Sequence, residues 1–273
     1  MGRRMARRLS DAGVALTVWS RSGSTRSELP CATHAPTIAE AVAGADVVMV
    51  MVRDDVASRE VWLGPDGAIA HLRAGAIAIE HSTLGPAWVT DLATALQAVG
   101  ARFVEAPVVG SRPQAEAGSL VFLAGGSGET LARVGPLLAR MGSAVHHVGD
   151  TPAGAYAKLI VNTLFAVQVA ALAELFGFAT KAGLDARVLL DVLPGLPVLS
   201  AAAQGAAAGM VAGAFGPMFP VALVSKDLRY AVAAAETAGG RLPLGESARE
   251  VFDAGIAACL GDENLTAVAK LYR

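Results

Sequence analysis

In the first half of the chain, short apolar runs alternate with stretches whose apolar residues recur at helical spacing. The clearest run is 46–52, DVVMVMV, and its unbroken apolar character is typical of a strand covered on both faces. Further strands are predicted at 14–19, 77–80, 101–105, 120–124 and 144–147, and helices at 3–12, 38–42, 88–99 and 129–141. This alternation predicts βαβ units and a mostly parallel, doubly wound sheet.

The pattern changes after about residue 149. Strand-like runs stop there, and the remaining chain is rich in Ala, Leu and Val with interruptions at Gly and Pro. The stretch 153–181 is predicted to be one helix, roughly 43 Å long at about 1.5 Å per residue. We therefore predict an α/β domain over 1–149 and an all-helical domain over 150–273, joined by this long helix.

The composition supports two globular domains and narrows the class of protein. Hydrophobic residues make up 53% of the 273 positions and charged residues 17%, which supplies a buried core and excludes wholesale disorder. A net charge of −2 gives no electrostatic footprint for nucleic acid, and two cysteines exclude a disulfide framework. The longest uncharged run, 192–225, is interrupted by four prolines. We expect a soluble, cytoplasmic protein with no membrane span and no metal site.

The polar loop after 14–19 contains a candidate phosphate pocket. The segments 3–12 and 14–19 fit the helix and second strand of a Rossmann unit, and NADP-binding versions place an arginine just past that strand to meet the 2′-phosphate. Arg21 stands at this position, with Ser22 and Arg26 close by. A solvated surface arginine explains Arg21 equally well. The fingerprint G-x-G-x-x-G that usually opens such a domain is absent.

The first residues, Met1-Gly2-Arg-Arg-Met-Ala, resemble the end of the fingerprint G-x-x-G-x-M-G-x-x-M-A of the β-hydroxyacid dehydrogenase family. On that alignment Gly2 is the last cofactor-binding glycine, and the first Rossmann strand with two earlier glycines would lie upstream of Met1. We therefore expect a Rossmann-type domain whose first strand is missing, with the true start codon further upstream.

A second resemblance covers 105–120, EAPVVGSRPQAEAGSL, which is similar to the family's substrate loop D-A-P-V-S-G-x-x-x-x-A-x-x-G-x-L. It implies that Val109, Gly110 and Ser111 form a turn whose backbone N–H groups bind a substrate carboxylate. The family often has Ser-Gly-Gly here, and the form in this chain is more similar to the glyoxylate and succinic semialdehyde reductases. A purely structural Pro/Gly loop is the alternative.

Two strand ends carry further family features. The sequence Glu80-His-Ser-Thr resembles the family's D-x-S-T and implies that Thr83 lies beside the nicotinamide and the substrate carboxylate. A helix cap explains Thr83 without any ligand. Met51, Val52 and Arg53 match the loop that the family packs against the cofactor ribose, where much of the contact would be made by the backbone.

Two helical segments supply the candidate catalytic groups. Gly154, Lys158 and Asn162 share one helix face at i, i+4 spacing and resemble the family's G-x-x-x-K-x-x-x-N. That resemblance implies that Lys158 is the general acid/base and that Asn162 holds the substrate, although a lone helical lysine is ordinarily solvated. The segment 219–228 resembles F-x-x-x-x-x-x-K-D-L and implies that Lys226 reaches over the cofactor. Asp227 would hold a helix start, orient Lys226, or form an exposed ion pair with it.

The resemblance implies an NADPH-dependent oxidoreductase. It would reduce a small aldehyde acid of the glyoxylate or succinic semialdehyde type, or oxidise the matching β- or γ-hydroxyacid, and would prefer NADP(H) over NAD(H). We expect a small carboxylate-bearing substrate and a homodimer or homotetramer. Two alternatives stay open: an imine reductase, which usually has Asp or Tyr in place of Lys158, and a catalytically impaired nucleotide-binding scaffold, which typically lacks that lysine.

Overall fold

The apolar runs of the first half form strands in the computed structural model, which describes residues 1–23 and 27–273. Two short strands pair with each other in parallel, β1 (Thr17–Val18) and β2 (Thr33–His34). Six further strands form the main sheet: β3 (Val47–Val50), β4 (Ile77–Glu80), β5 (Arg102–Glu105), β6 (Val108–Val109), β7 (Leu120–Gly125) and β8 (Gly142–Gly149).

The main sheet brings three parallel strand ends to one edge. β3, β4 and β5 are in register, with Val50 opposite Glu80 and Glu80 opposite Glu105. β7 runs antiparallel to β5 and β6 and parallel to β8. Among the described strands β3 pairs only with β4, and the β1–β2 pair is a separate sheet. The resemblance implied that the missing first strand would be a central strand of the sheet.

Helices cover both faces of the main sheet. Side chains of β4 alternate, with Ile77 and Ile79 in one core and Ala78 in the other, as the two-residue period of a strand requires. The helices of this part are α1 (Gly2–Asp11), α2 (Ile38–Val42), α3 (Asp55–Leu63), α4 (Pro86–Ala98), α5 (Arg112–Ala117) and α6 (Gly128–Leu138). The predicted α/β architecture is confirmed.

Several short elements were not predicted. α3 begins after Asp54, whose carboxylate accepts the N–H of Ala57, and α5 begins after Ser111 and ends at Gly118 in the left-handed region at φ +67°. These helices are defined by their caps and are too short for a clear apolar period. β2 and β6 have two residues each, and β1 is much shorter than the predicted strand at 14–19.

The described elements after β8 are helical, as predicted. They are α7 (Ala153–Lys181), α8 (Ala186–Val192), α9 (Ala201–Ala212), α10 (Val221–Thr237) and α11 (Pro243–Ala257), with 3₁₀ turns at Leu193–Gly195 and Leu265–Tyr272. Ala166, Val169 and Phe176 of α7 enter a core that also contains Met210 and Phe252. Together with Ala173 of the same core they are three, four and three residues apart, and this spacing defines the buried face of α7.

The chain divides into two compact units inside α7. We call Met1–Lys158 the sheet unit and Leu159–Arg273 the helical unit. The predicted boundary, 149/150, lies before α7 begins. The first turn of α7 belongs to the sheet unit because Glu105 binds the backbone N–H groups of Gly154 and Ala155.

By length and composition, α7 is the one helix in the described ranges that could cross a bilayer. Of its most apolar window, 44% is buried inside the protein. The core helix of a globular protein passes the same test. The finding therefore differs from the sequence expectation without establishing a membrane span.

Candidate active site

The loops after β3 and β4 are tied together at the carboxyl edge of the sheet. The N–H of Val52 donates to Oγ of Ser82 at 2.7 Å, and the N–H of His81 donates to the carbonyl of Val50 at 2.9 Å. Thr83 follows directly and is half-buried. The structure therefore brings three predicted site residues, Met51, Val52 and Thr83, to adjacent loops.

Glu80, the last residue of β4, stabilises the loop that follows this strand. Its buried carboxylate accepts hydrogen bonds from Ser58 Oγ at 2.8 Å, from Trp62 Nε1 at 2.9 Å and from the N–H of Ser82 at 3.0 Å. Burial raises the pKa of Glu80 above its ordinary value. Glu80 thus joins α3 to the loop that carries Thr83. Sequence reasoning missed this role, although a glutamate ending an otherwise apolar strand was a usable signal.

The uncharged ring of His81 links the residues that follow β4 and β5. Its Nδ1 lies 2.8 Å from the carbonyl oxygen of Ala106, and its ring packs 5.5 Å from that of Phe122. Burial lowers the pKa of His81 to about 4, so the imidazole is uncharged near neutral pH and Nδ1 carries the hydrogen. Its Nε2 has no hydrogen-bond partner within residues 1–23 and 27–273.

The predicted carboxylate-binding turn has one of its donors already engaged. Gly110 adopts φ +117°, and a Cβ there would lie 3.0 Å from Cβ of Gln114, so the turn requires glycine. The N–H of Ser111 donates to Oε1 of Gln114 at 2.9 Å as part of the cap of α5. The expectation that Ser111 offers its N–H to a substrate therefore requires the Gln114 side chain to move away. Val109 lies in β6, opposite Val121.

The predicted cofactor residues lie at the start of α1 and after β1. A Cβ built on Gly2 would contact Met51 at 3.5 Å without a clash, so the packing of the protein itself does not require this glycine. Its missing side chain leaves space at a helix N-terminus, which favours anions. Arg21 and Ser22 are exposed, and Arg21 makes no ion pair with another described residue. Arg26 lies outside the described residues. The donor set fits a dinucleotide that carries phosphates.

Lys158 lies one turn into α7 and is 8% exposed. That turn is anchored to the end of β5, because Glu105 Oε1 accepts the N–H of Gly154 at 2.9 Å and Oε2 accepts the N–H of Ala155 at 2.8 Å. Burial raises the pKa of Glu105 to about 7, against the opposing effect of these two hydrogen bonds. The lysine is therefore buried on a fixed turn rather than solvated.

In the helical unit, the other predicted residues form a buried polar cluster. Nδ2 of Asn162 donates to Oδ2 of Asp227 at 2.6 Å, and Nζ of Lys226 lies 2.9 Å from Oδ1 of Asp227. All three side chains are buried. The Lys226–Asp227 pair lies inside α10 rather than at its start or on the surface. Asp227 therefore orients both Lys226 and Asn162.

The candidate site residues can perform several different chemical roles. An ammonium group can donate a proton, backbone N–H groups and a hydroxyl can bind a carboxylate, and arginine can bind a phosphate. Within the described ranges no three His, Cys, Asp or Glu side chains gather as metal ligands. Comparison with known proteins shows which family has this arrangement of domains.

Two family models match consecutive parts of the chain. Residues 1–149 match the NAD binding domain of 6-phosphogluconate dehydrogenase. Residues 152–272 match the model described as NAD-binding of NADP-dependent 3-hydroxyisobutyrate dehydrogenase.

Individual relatives resemble the chain over most of its length. The glyoxylate/succinic semialdehyde reductase 2 of Arabidopsis thaliana is 30% identical over 100% of this chain and 77% of that protein. The 3-hydroxyisobutyrate dehydrogenase of Pseudomonas aeruginosa is 34% identical over 84% of this chain and 80% of that protein. The structure of Mycobacterium tuberculosis 3-hydroxyisobutyrate dehydrogenase with L-serine superposes with a TM-score of 0.90 at 30% identity, covering 100% and 96% of the two chains.

Proposed function

The chain belongs to the β-hydroxyacid dehydrogenase family of NAD(P)-dependent oxidoreductases, and from this premise we propose that it reduces a small aldehyde acid with NADPH or oxidises the matching hydroxyacid. The observation that carries the proposal is Lys158, a buried lysine on the first turns of α7. Glyoxylate and succinic semialdehyde, named in the Arabidopsis relative, are the substrate types we propose.

Gly2, Met51 and Val52 would hold the nucleotide along the sheet edge. Arg21 and Ser22 would meet a 2′-phosphate, which is the basis of the proposed preference for NADP(H). Arg21 is exposed and makes no ion pair with a described residue, so its guanidinium is available for a phosphate. When bound, the nicotinamide supplies or accepts the hydride.

Lys158 acts on the oxygen of the reacting carbon. As the aldehyde is reduced, negative charge develops on its carbonyl oxygen, and Nζ of Lys158 donates a proton or hydrogen bond there. In the oxidation direction the same nitrogen accepts the hydroxyl proton. General acid–base assistance of this kind contributes about 10²- to 10⁴-fold to the rate.

We propose that the protein orients the substrate by binding its carboxylate group. Thr83 and the N–H groups of the turn at Val109–Gly110 would bind it, with Ser111 joining if Gln114 releases its amide. Asn162 would bind the substrate through the amide hydrogen that Asp227 does not use. Orientation by several fixed donors lowers the barrier by reducing the entropy lost in the reaction.

We further propose that the protein assembles as a homodimer or homotetramer through α7. Four apolar side chains of α7 in the helical unit are more than half exposed, namely Ile160, Leu164, Leu175 and Phe178. Clusters of exposed apolar residues of this kind mark interaction surfaces. A chain that sediments as a monomer would contradict this assembly.

A substrate panel tests the proposed chemistry. Oxidation of NADPH and of NADH would be measured with glyoxylate, succinic semialdehyde, butyraldehyde as the carboxylate-free control, and cyclic imines. We expect the highest kcat/KM with an aldehyde acid and NADPH. Turnover of imines alone would instead indicate an imine reductase, and NADPH binding without any turnover would indicate a scaffold.

A further inference from the structure

Glu105 completes the hydrogen bonding at the start of α7. A helix leaves its first four N–H groups without intrahelical acceptors. In α7 the N–H of Ala153 donates to the carbonyl of Asp150, and that of Tyr156 donates to the carbonyl of Pro152. The two between them, Gly154 and Ala155, donate to the two carboxylate oxygens of Glu105 at 2.9 and 2.8 Å. The carboxylate therefore binds the helix across 49 and 50 residues of chain.

The surrounding backbone is built around this carboxylate. Gly125, the register partner of Glu105 on β7, would place a Cβ only 2.2 Å from Oε1 of Glu105. A Cβ on Gly154 would lie 3.0 Å from Cδ of Glu105 and 2.6 Å from the carbonyl oxygen of Leu123. Both approaches require glycine. β5, β7 and α7 thus close around one side chain that is 1% exposed.

Lys158 lies one helical turn after Gly154 and on the same face of α7. The position of its backbone follows from where the helix begins, because the turn between them is continuous. A carboxylate bound to both N–H groups fixes that beginning along the helix axis and in rotation. A single hydrogen bond would leave the rotation free.

We propose that Glu105 is a positioning residue for Lys158, setting through its two hydrogen bonds to the first turn of α7 where the lysine amine stands. This inference rests on the proposed role of Lys158. It assigns Glu105 no contact with substrate or cofactor. A displacement of about 1 Å at a catalytic group can cost on the order of 100-fold in rate, so loss of the anchor should reduce turnover strongly.

The main test compares Glu105→Gln with Ser127→Ala. The glutamine keeps the volume but directs an NH₂ group at one of the two helix N–H groups. The control removes the side chain that caps α6 by accepting the N–H of Thr130, so it loses a helix cap in the same unit without touching α7. We expect Glu105→Gln to lower kcat at least 10-fold with KM values within about 3-fold of wild type. Ser127→Ala should leave kcat within about 2-fold.

Two readouts need no turnover. Hydrogen exchange of the peptide 152–158 should accelerate at least 10-fold in Glu105→Gln and stay unchanged in Ser127→Ala. Labelling of Lys158 by an amine-reactive reagent should accelerate several-fold, with Lys226 as the internal reference. Glu105→Asp keeps the carboxylate on a side chain that is one methylene shorter. Its turnover, hydrogen exchange and labelling rate should each lie between those of wild type and Glu105→Gln. If Glu105→Gln does not fold, Glu105→Asp decides by the same criteria.

Unchanged exchange at 152–158 would overturn the proposal, and so would accelerated exchange with unchanged kcat. If Lys158→Ala itself kept full turnover, the proposed function of Lys158 would fail. Exchange and labelling would still report whether Glu105 positions that side chain.

Discussion

The sheet unit and the helical unit hold the buried titratable groups near the candidate site by different means. In the sheet unit, Glu80, His81 and Glu105 bind backbone groups and neutral side chains at the ends of β4 and β5. In the helical unit, Lys226, Asp227 and Asn162 bind one another. Strand ends and helix starts offer backbone groups that need partners, whereas a helix interior offers none. A charge buried on a helix therefore needs another side chain.

This difference predicts that the stability of the two units responds to different changes. An isolated buried acid or imidazole in the sheet unit changes charge at a shifted pKa, so the stability of that unit should respond to pH. A buried charge pair in the helical unit should respond to loss of either partner. α7 passes through both units, and the proposed catalytic lysine stands where they divide.

Substitution of Lys158 by alanine should have the largest effect. Turnover of the best aldehyde acid should fall about 10²- to 10⁴-fold because the developing charge on the carbonyl oxygen loses its proton donor. Lys181→Ala, at the other end of the same helix and exposed, is the matched control and should keep full activity. Steady-state kinetics measure both variants. Near wild-type turnover of Lys158→Ala would remove the catalytic assignment.

The second-largest effect should be a loss of stability when one partner of the buried Lys226–Asp227 pair is removed. Asp227→Asn removes the negative charge that lies 2.9 Å from the buried Nζ of Lys226, and we expect the free energy of unfolding to fall by about 3–5 kcal/mol. Replacing both charges, as Lys226→Met with Asp227→Leu, should recover much of that loss, since no lone charge remains buried. Urea unfolding followed by far-UV circular dichroism measures both variants.

The pair Arg249–Asp253 on α11, whose side chains are 36% and 43% exposed, serves as the control. Arg249→Gln should change the free energy of unfolding by less than about 1 kcal/mol because water screens both partners. If Asp227→Asn costs no more than Arg249→Gln, the Lys226–Asp227 pair is effectively solvated. The contrast between the two units would then disappear.

The elements that the sequence predicted best are those with long or unbroken apolar patterns. α7 was predicted with its observed ends, and so was β4, because each is defined by its own side chains. α3 and α5 were missed because a cap residue rather than an apolar period starts them. The structural role of Glu105 depends on partners 49 and 50 residues away and on the glycine at 125, which no local pattern reveals.

In the candidate site, too, some features could be predicted from the sequence and others could not. Motif resemblance placed Lys158, Asn162 and Lys226 on helices where the structure finds them buried. It could not show that the Ser111 N–H is taken by Gln114, because that contact is made by a side chain the motif leaves variable. Sequence motifs thus located the buried polar residues of the candidate site better than the hydrogen bonds that engage them.

Opposite pH dependences in the sheet unit should produce the next largest effect. Burial raises the pKa of Glu105 to about 7, so its contribution to stability is full below pH 4.5 and is lost as pH rises through 7. Burial lowers the pKa of His81 to about 4, so its contribution is full above pH 6.5 and is lost as pH falls through 4. Each amounts to roughly 3 kcal/mol, and they oppose each other between about pH 4.5 and 6.5.

Two single variants separate these contributions. The stability difference between wild type and Glu105→Gln should decrease as pH rises from 4.5 to 7, whereas the difference between wild type and His81→Gln should increase from 4 to 6.5. Glu80, whose pKa burial also raises, is present in every protein compared and cancels. Chemical unfolding at a series of pH values measures both differences. Parallel pH profiles for all three proteins would show that neither group titrates with a shifted pKa.

The smallest expected effect concerns cofactor choice, at the exposed end of the sheet unit. Arg21→Ser should lower kcat/KM for NADPH about 10- to 100-fold, the equivalent of one charge-assisted hydrogen bond to a phosphate at about 1.5–3 kcal/mol, and leave NADH nearly unchanged. Arg59→Ser is the matched control, because Arg59 is also exposed but pairs with Asp91 on α4. If Arg21→Ser weakens both cofactors equally, Arg21 does not read the 2′-phosphate. The guanidinium would then contact a part of the nucleotide that NADPH and NADH share, and the proposed preference for NADP(H) would lose its structural basis.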